Sequence, residues 1–191
     1  MQLPLFREDV KISEVLIVIE PPKEIVEYIA LLKKEISEEF GDFTSRYSTA
    51  HVTVNDFLVA DERMKPVLSA IEKHISEFKA FSIRLNGFSS FENGNTIFVN
   101  VEVPDSYNSL IDEFEILRQE VVKTKKKNFY NSRTPHITIA NQLANSSFKE
   151  LKKRFSPIHF NHEFSVEKLV ILKRDKNLGK FEHIGDINLK N

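Results

Sequence analysis

The chain has 191 residues, 41% hydrophobic and 29% charged, which excludes a disordered or fibrous protein and suits one compact domain or two small lobes sharing a core. Its 27 Lys and Arg balance 28 Asp and Glu, for a formal charge of −1. The basic excess of a protein that coats long nucleic acid is therefore missing, while a small anionic substrate held by a few local cations is accommodated.

From the N-terminus, "MQLPLFREDVKI" places acidic residues where a signal peptide has its apolar core. The first strongly apolar run, Val15 to Ile19, is too short to span a bilayer. The absence of Cys rules out disulfides, thiolate metal sites and a cysteine nucleophile, and fits a reducing compartment. The expectation is a cytoplasmic protein with no membrane partner. "EVLIVIE" (14–20) is a β-branched strand. Pro21-Pro22 ends it and opens a helix, on which Ile25, Ile29, Leu32, Ile36 and Phe40 make one stripe before Gly41-Asp42 closes it. "AHVTVNDFLV" (50–59) is a strand, Met64 to Phe78 mark a second helix, and "FSIRLNGF" (81–88) alternates as a strand. "ENGN" (92–95) signals a turn into "TIFVNVEV" (96–103). Tyr107, Leu110, Ile111, Phe114, Leu117 and Val121 line a third helix, and "TPHITIANQL" (134–143) is the next strand. Ser147 with Glu150 resembles a capping box opening a short helix through Phe155. "VEKLVILKR" (166–174) is a strand and "KFEHIGDINL" (180–189) a final edge strand.

Two stretches have the same order of elements. Residues 14–91 read strand, helix, strand, helix, strand, and so do residues 96–174. The middle strand carries "HVTV" at residue 51 in one and "HITI" at residue 136 in the other. The expected fold is α+β: one bilobal domain (1–191) of duplicated strand-helix-strand-helix-strand units, with pseudo-two-fold symmetry and mixed or antiparallel sheets around a central cleft. The two segments form its lobes.

Residues two apart on a strand share a face. Val52, Val54, Ile137 and Ile139 then belong to the core, while His51, Thr53, His136 and Thr138 face the opposite way. Two imidazoles and two hydroxyls at one cleft suit phosphodiester chemistry without a metal. One neutral imidazole takes a proton from water, and the other, protonated, gives one to the leaving oxygen. The threonines donate to phosphate oxygens, and Arg46 or Arg133 neutralises the phosphate. A lone H-x-T is more often an ordinary strand face; two in matched places point to a site.

The paired tetrads resemble the 2H phosphoesterase superfamily, in particular its bacterial 2′-5′ RNA ligase-like branch, over roughly Glu14 to Asp175. The resemblance implies a bilobal α+β fold with one motif from each lobe lining a groove. It implies metal-independent action on 2′,3′-cyclic phosphates or 2′-5′ linkages of RNA ends or nucleotides. By match, His51 and His136 are the catalytic histidines, and Thr53 and Thr138 the phosphate-binding hydroxyls. Two alternatives stand beside this reading: 2′-5′ ligation of RNA, which runs the chemistry backwards, and a non-catalytic module that binds RNA or a nucleotide.

"KTKKKNFYNSR" (123–133) runs straight into the second tetrad. It is either a solvated loop or a lip of the cleft in which Phe129 and Tyr130 stack on bases and cations meet phosphates. Arg46 and Tyr47 hold the corresponding place before the first tetrad. His159 and His162 have a spacing a metal site uses, but on a strand they point to opposite faces, so no metal site is expected. His74 and His183 are expected to be solvated. With five Gly and no Gly-rich phosphate loop, no nucleotide cofactor is expected. No protein partner is legible.

Overall fold

The computed structural model describes residues 10–176 and 178–191; most of the N-terminal stretch read above for a signal peptide, residues 1–9, lies outside them. In chain order the described residues form β1 (Ile12–Ile19), α1 (Lys23–Phe40), β2 (Val52–Ala60), α2 (Asp61–Ile75), β3 (Phe81–Phe91), β4 (Thr96–Glu102) and α3 (Asp105–Leu117). Then follow β5 (Phe129–Asn131), β6 (His136–Ala140), α4 (Asn145–Phe155), β7 (Asn161–Val166), β8 (Lys168–Asp175) and β9 (Leu178–Asn188). No described helix is long and apolar enough to cross a membrane.

Local chemistry accounts for most boundaries. α1 follows Pro22 and ends at Gly41, whose φ of 84° lies in the left-handed region that glycine enters without strain. Its buried residues are Ile25, Ile29, Lys33 and Ile36. A lysine thus sits deep on a stripe on which Leu32 and Phe40 are only partly buried. The turn between β3 and β4 is the expected one, with Gly94 at φ 82° and Asn95 at φ 43°. The capping box at Ser147 is not used. α4 begins two residues earlier, after Ala144, with no side-chain cap. The entering chain is secured instead by Asn95, whose Nδ2 donates to Leu143 O (2.9 Å) and Asn145 Oδ1 (2.8 Å). Two strands carry no alternating pattern. β5 has three residues, and β7, "NHEFSV", is a polar edge strand mostly exposed on both sides.

The strands lie in the order β7-β3-β4-β6-β2-β1-β8-β9, with β5 also paired to β2. Neighbouring strands run antiparallel throughout this order, so the fold is α+β with an antiparallel sheet. The two half-sheets meet at a single register pair, Val52 with Ile137. Beyond it the same edge of β2 is taken over by β5, through Asn55–Asn131, Asp56–Tyr130 and Phe57–Phe129.

The sequence segments interleave across this join. β3 of the first segment pairs with β4 of the second, and β8 of the second pairs with β1 of the first. The helices cross over as well: α1 packs against β6, and α3 against β2 and β5. A half-sheet is therefore not one continuous stretch of sequence. The physical reason is that each segment's last strand completes the other segment's sheet. The main core is an apolar cluster on the helix-covered side, holding Ile17, Val52, Val54, Ile137, Ile139, Phe114 and Leu151, among others, and a second small cluster joins Leu16, Val18 and Val170. Fully burying such side chains stabilises by about 1.5–3 kcal/mol each.

Candidate active site

His51 directly precedes β2 and His136 opens β6, so both tetrads come to the junction of the half-sheets. Val52 and Ile137 face each other and are fully buried, as the alternation requires. One step to either side in the same register, His51 comes opposite Thr138 and Thr53 opposite His136. Cross-strand partners share a face, so all four polar side chains project from the side of the sheet that the helices leave bare. Each is half-buried. In a regular ladder the two histidines are diagonal neighbours, about 7–8 Å apart at their backbones.

Both imidazoles are held alike. His51 Nδ1 lies 2.8 Å from Thr49 O, and His136 Nδ1 lies 2.8 Å from Thr134 O. A carbonyl only accepts, so each Nδ1 carries the hydrogen. Each Nε2 then points away with its lone pair when the ring is neutral. Burial pushes the pKa of His51 below the ordinary histidine value. The bond to Thr49 O opposes this, while the positive charges of Lys33 and of a protonated His136 add to it. His136 packs against a stacked pair of aromatic rings, 5.1 Å from Phe91 and 5.2 Å from Phe98 by centroid.

Sequence reasoning missed Lys33. It is 2% exposed, and its ammonium donates to Ser45 O (3.1 Å), Ser48 O (2.8 Å) and Ser48 Oγ (2.9 Å). It ties α1 to the loop that delivers Thr49 and His51. The loop is tied at its other side by Ser45 N donating to Asn141 Oδ1 (2.9 Å). Lys33 falls on the apolar stripe itself, four after Ile29 and three before Ile36, but a lysine there reads as solvated, and only the tertiary fold brings the carbonyls that let it be buried. Asn100, the register partner of His136, was likewise outside the motif signal.

The remaining candidates divide. Arg46 donates through Nε to Ser37 Oγ (2.6 Å) and lies over the Tyr47 ring at 5.1 Å; Tyr47 is 79% exposed. Arg133 is paired with Asp112 on α3 at 2.6 Å, which draws it toward the helix side. Phe129 is a core residue, 6% exposed and stacked on Phe57 at 5.6 Å. It is not a stacking surface for a base, because β5 turns alternate residues inward. Tyr130 faces outward, 49% exposed. His159 lies before β7 and His162 on it, with the latter ring against Phe160 at 4.6 Å. Among the described residues no three His, Asp or Glu gather as a metal site. His74 and His183 are not simply solvated: each meets a carboxylate, Glu113 at 2.9 Å and Asp186 at 2.8 Å.

A sheet face presenting two similarly oriented histidines and two hydroxyls defines a 2H-type arrangement. Residues 21–178 match the 2′-5′ RNA ligase superfamily, and the chain belongs to that family of 2H phosphoesterases. A relative from Oceanobacillus iheyensis, provisionally named phosphoesterase OB1230, is 29% identical over 164 residues, covering 82% of this chain and 86% of that one. A similarly named Geobacillus protein is 24% identical over 160 residues, covering 78% and 88%. Among solved structures, Escherichia coli LigT complexed with 3′-AMP superposes with a TM-score of 0.68 at 16% identity, covering 95% of this chain and all (100%) of that one. TT0787 of Thermus thermophilus gives 0.64 at 17% identity, covering 93% and 98%. At these identities the structural likeness speaks for the fold alone.

Proposed function

We propose that the protein is a metal-independent phosphodiesterase that opens 2′,3′-cyclic phosphates at RNA ends or on nucleotides by two-histidine acid–base catalysis. The observation that carries this is the shared presentation of His51 and His136, Nδ1 anchored and Nε2 outward, across a single strand junction. His51, held toward its neutral form by burial, takes the proton from water. The water oxygen attacks phosphorus, and the bond to one ribose oxygen breaks. His136 supplies the proton that this oxygen needs, and its ring is held in place against Phe91 and Phe98. The product is a ribose phosphomonoester, and the two histidines have exchanged protonation states. Thr53 and Thr138 donate to the non-bridging oxygens. The substrate is the RNA end or nucleotide, with no cofactor, and the assignment fits a cytoplasmic RNA-processing role.

Because only one combined protonation state is active, kcat/KM for a 2′,3′-cyclic nucleotide rises and falls around neutrality between about pH 5 and 9, reporting macroscopic values of the pair. EDTA leaves the profile unchanged. Activity abolished by EDTA and restored by a divalent ion would contradict the two-histidine mechanism. Thr53→Val and Thr138→Val keep the shape of the side chain and remove one donor to a charged oxygen. Each lowers kcat/KM by about 10-fold or more, mainly through KM. An unchanged KM and kcat in both variants would remove the threonines from the site.

A further inference from the structure

On the face that carries the two histidines lies a carboxyl that the proposed hydrolysis does not use. The register of β1 against β2 slips between Ile17–Asn55 and Val18–Thr53, so Val54 is bulged. Val54 and Asn55 are both fully buried, which returns Asp56 to the side of Thr53. Without the bulge, strict alternation would turn Asp56 away from the site. Asp56 follows Thr53 by about 7–10 Å along the strand.

The surroundings of Asp56 are specific. Tyr130 lies directly across on β5 and Leu16 directly across on β1. Glu14 is nearby, but its oxygens are taken by Arg174, through Nε at 2.7 Å and Nη2 at 3.0 Å. That guanidinium also covers the Phe181 ring at 4.4 Å. Among the described residues no donor bonds to the carboxylate of Asp56. Its pKa is pushed up to about 6 by burial and by the charge of Glu14, against the opposing pull of Arg174. Asp56 opens into a cavity of about 180 Å³, lined also by Glu14, Leu58, Lys127, Tyr130 and Lys176. A half-buried carboxylate with unfilled acceptors, beside an exposed aromatic ring, is a site built for a flat ligand with donors on its edge.

We propose that this cavity is a nucleobase subsite selective for guanine, with Asp56 accepting the base's adjacent ring N–H and amino N–H, and Tyr130 stacking on its plane. Among the four bases only guanine offers two neighbouring donors, which match two carboxylate oxygens as a guanidinium does. Adenine and cytosine set a ring-nitrogen lone pair beside their amino group, and uracil flanks its one N–H with carbonyls. Each of these turns a lone pair toward the carboxylate. Stacking on Tyr130 tolerates any base, so selection falls to Asp56. The subsite rests on the proposed function in placing the ribose phosphate between His51 and His136.

The test uses two readouts: kcat/KM for the four 2′,3′-cyclic nucleotides, and calorimetric affinity for guanosine and adenosine 3′-monophosphates, which needs no turnover. The guanosine nucleotide is favoured over adenosine by about 10- to 100-fold in both. Asp56→Asn brings the ratio to within about threefold. Tyr130→Leu weakens both nucleotides while keeping the ratio. The wild-type ratio shrinks as pH falls below about 6, where Asp56 takes up a proton among Glu14, Arg174, Tyr130, Lys127 and Lys176; catalytic pH effects cancel in it. Guanosine-selective binding without hydrolysis supports the subsite while removing the hydrolytic reading. Turnover without guanosine preference, a preference that survives Asp56→Asn, or no binding of either monophosphate overturns the subsite.

Discussion

Alanine at His51 or at His136 lowers kcat for a 2′,3′-cyclic nucleotide by at least ~10²-fold, the usual scale for one general acid or base. Each substitution removes a single outward Nε2 and leaves the strand junction in place. Val52 and Ile137, which hold the half-sheets together, are untouched, and the imidazoles are half-buried on the uncovered face. The folded state therefore survives, with an unfolding midpoint within a few degrees of wild type. Each variant also loses one limb of the pH profile, because only one titrating partner remains. The double variant loses little more than either single one, since the two groups act as a unit. Steady-state kinetics on protein shown to be folded by thermal melting is the measurement. Either single variant within about threefold of wild type would send the search for the catalytic groups elsewhere.

Lys33→Met changes both the stability curve and the kinetics. Burial, reinforced by the charge of Arg46, lowers the pKa of Lys33 to about 8, against about 10.4 in an unfolded chain. Below about 8 both states are charged, and the native state carries the full cost of the buried ammonium, on the order of 3 kcal/mol. Between about 8 and 10.4 the unfolded chain binds more protons, so stability rises with pH through that window. The variant lacks this rise. At neutral pH it escapes the charge cost but leaves Ser45 O and Ser48 O without their donor, at about 1–3 kcal/mol each. These opposing effects nearly cancel there, so the slope is the signature. In kinetics the loop before His51 loosens, the ring bonded to Thr49 O loses its fixed orientation, and kcat falls by about 10-fold. The acidic limb also moves to higher pH, because a positive charge that holds His51 neutral has gone. Urea unfolding from pH 7 to about 10 and the pH profile check both; an unchanged slope and an unmoved limb would reject this role.

Much of the site was legible because strand alternation is local. His-x-Thr with intervening aliphatics states which side chains go inward, and Val52, Val54, Ile137 and Ile139 are buried as that pattern requires. The repetition of the tetrad in matched places supplied the rest. Polar neighbours were less legible. Phe129 and Tyr130 read as an equivalent pair of rings in a basic loop, yet pairing of β5 with β2 sends one into the core and leaves the other outside. Arg133, adjacent to the second tetrad in sequence, is claimed by Asp112 on α3.

Apart from β5 and β7, the sequence by itself determined the types of the main elements, the inward and outward faces of the motif strands, and the pair of histidines to watch, since these follow from residue periodicity and side-chain chemistry. Tertiary structure alone decided which strands are neighbours, that a half-sheet draws on both segments, and that one register pair brings the tetrads together. It also decided that Lys33 is buried and that a bulge returns Asp56 to the face of Thr53. Those outcomes depend on pairing between residues far apart in the chain. Such pairing is selected by the burial and hydrogen bonding of the whole sheet, which no local pattern encodes.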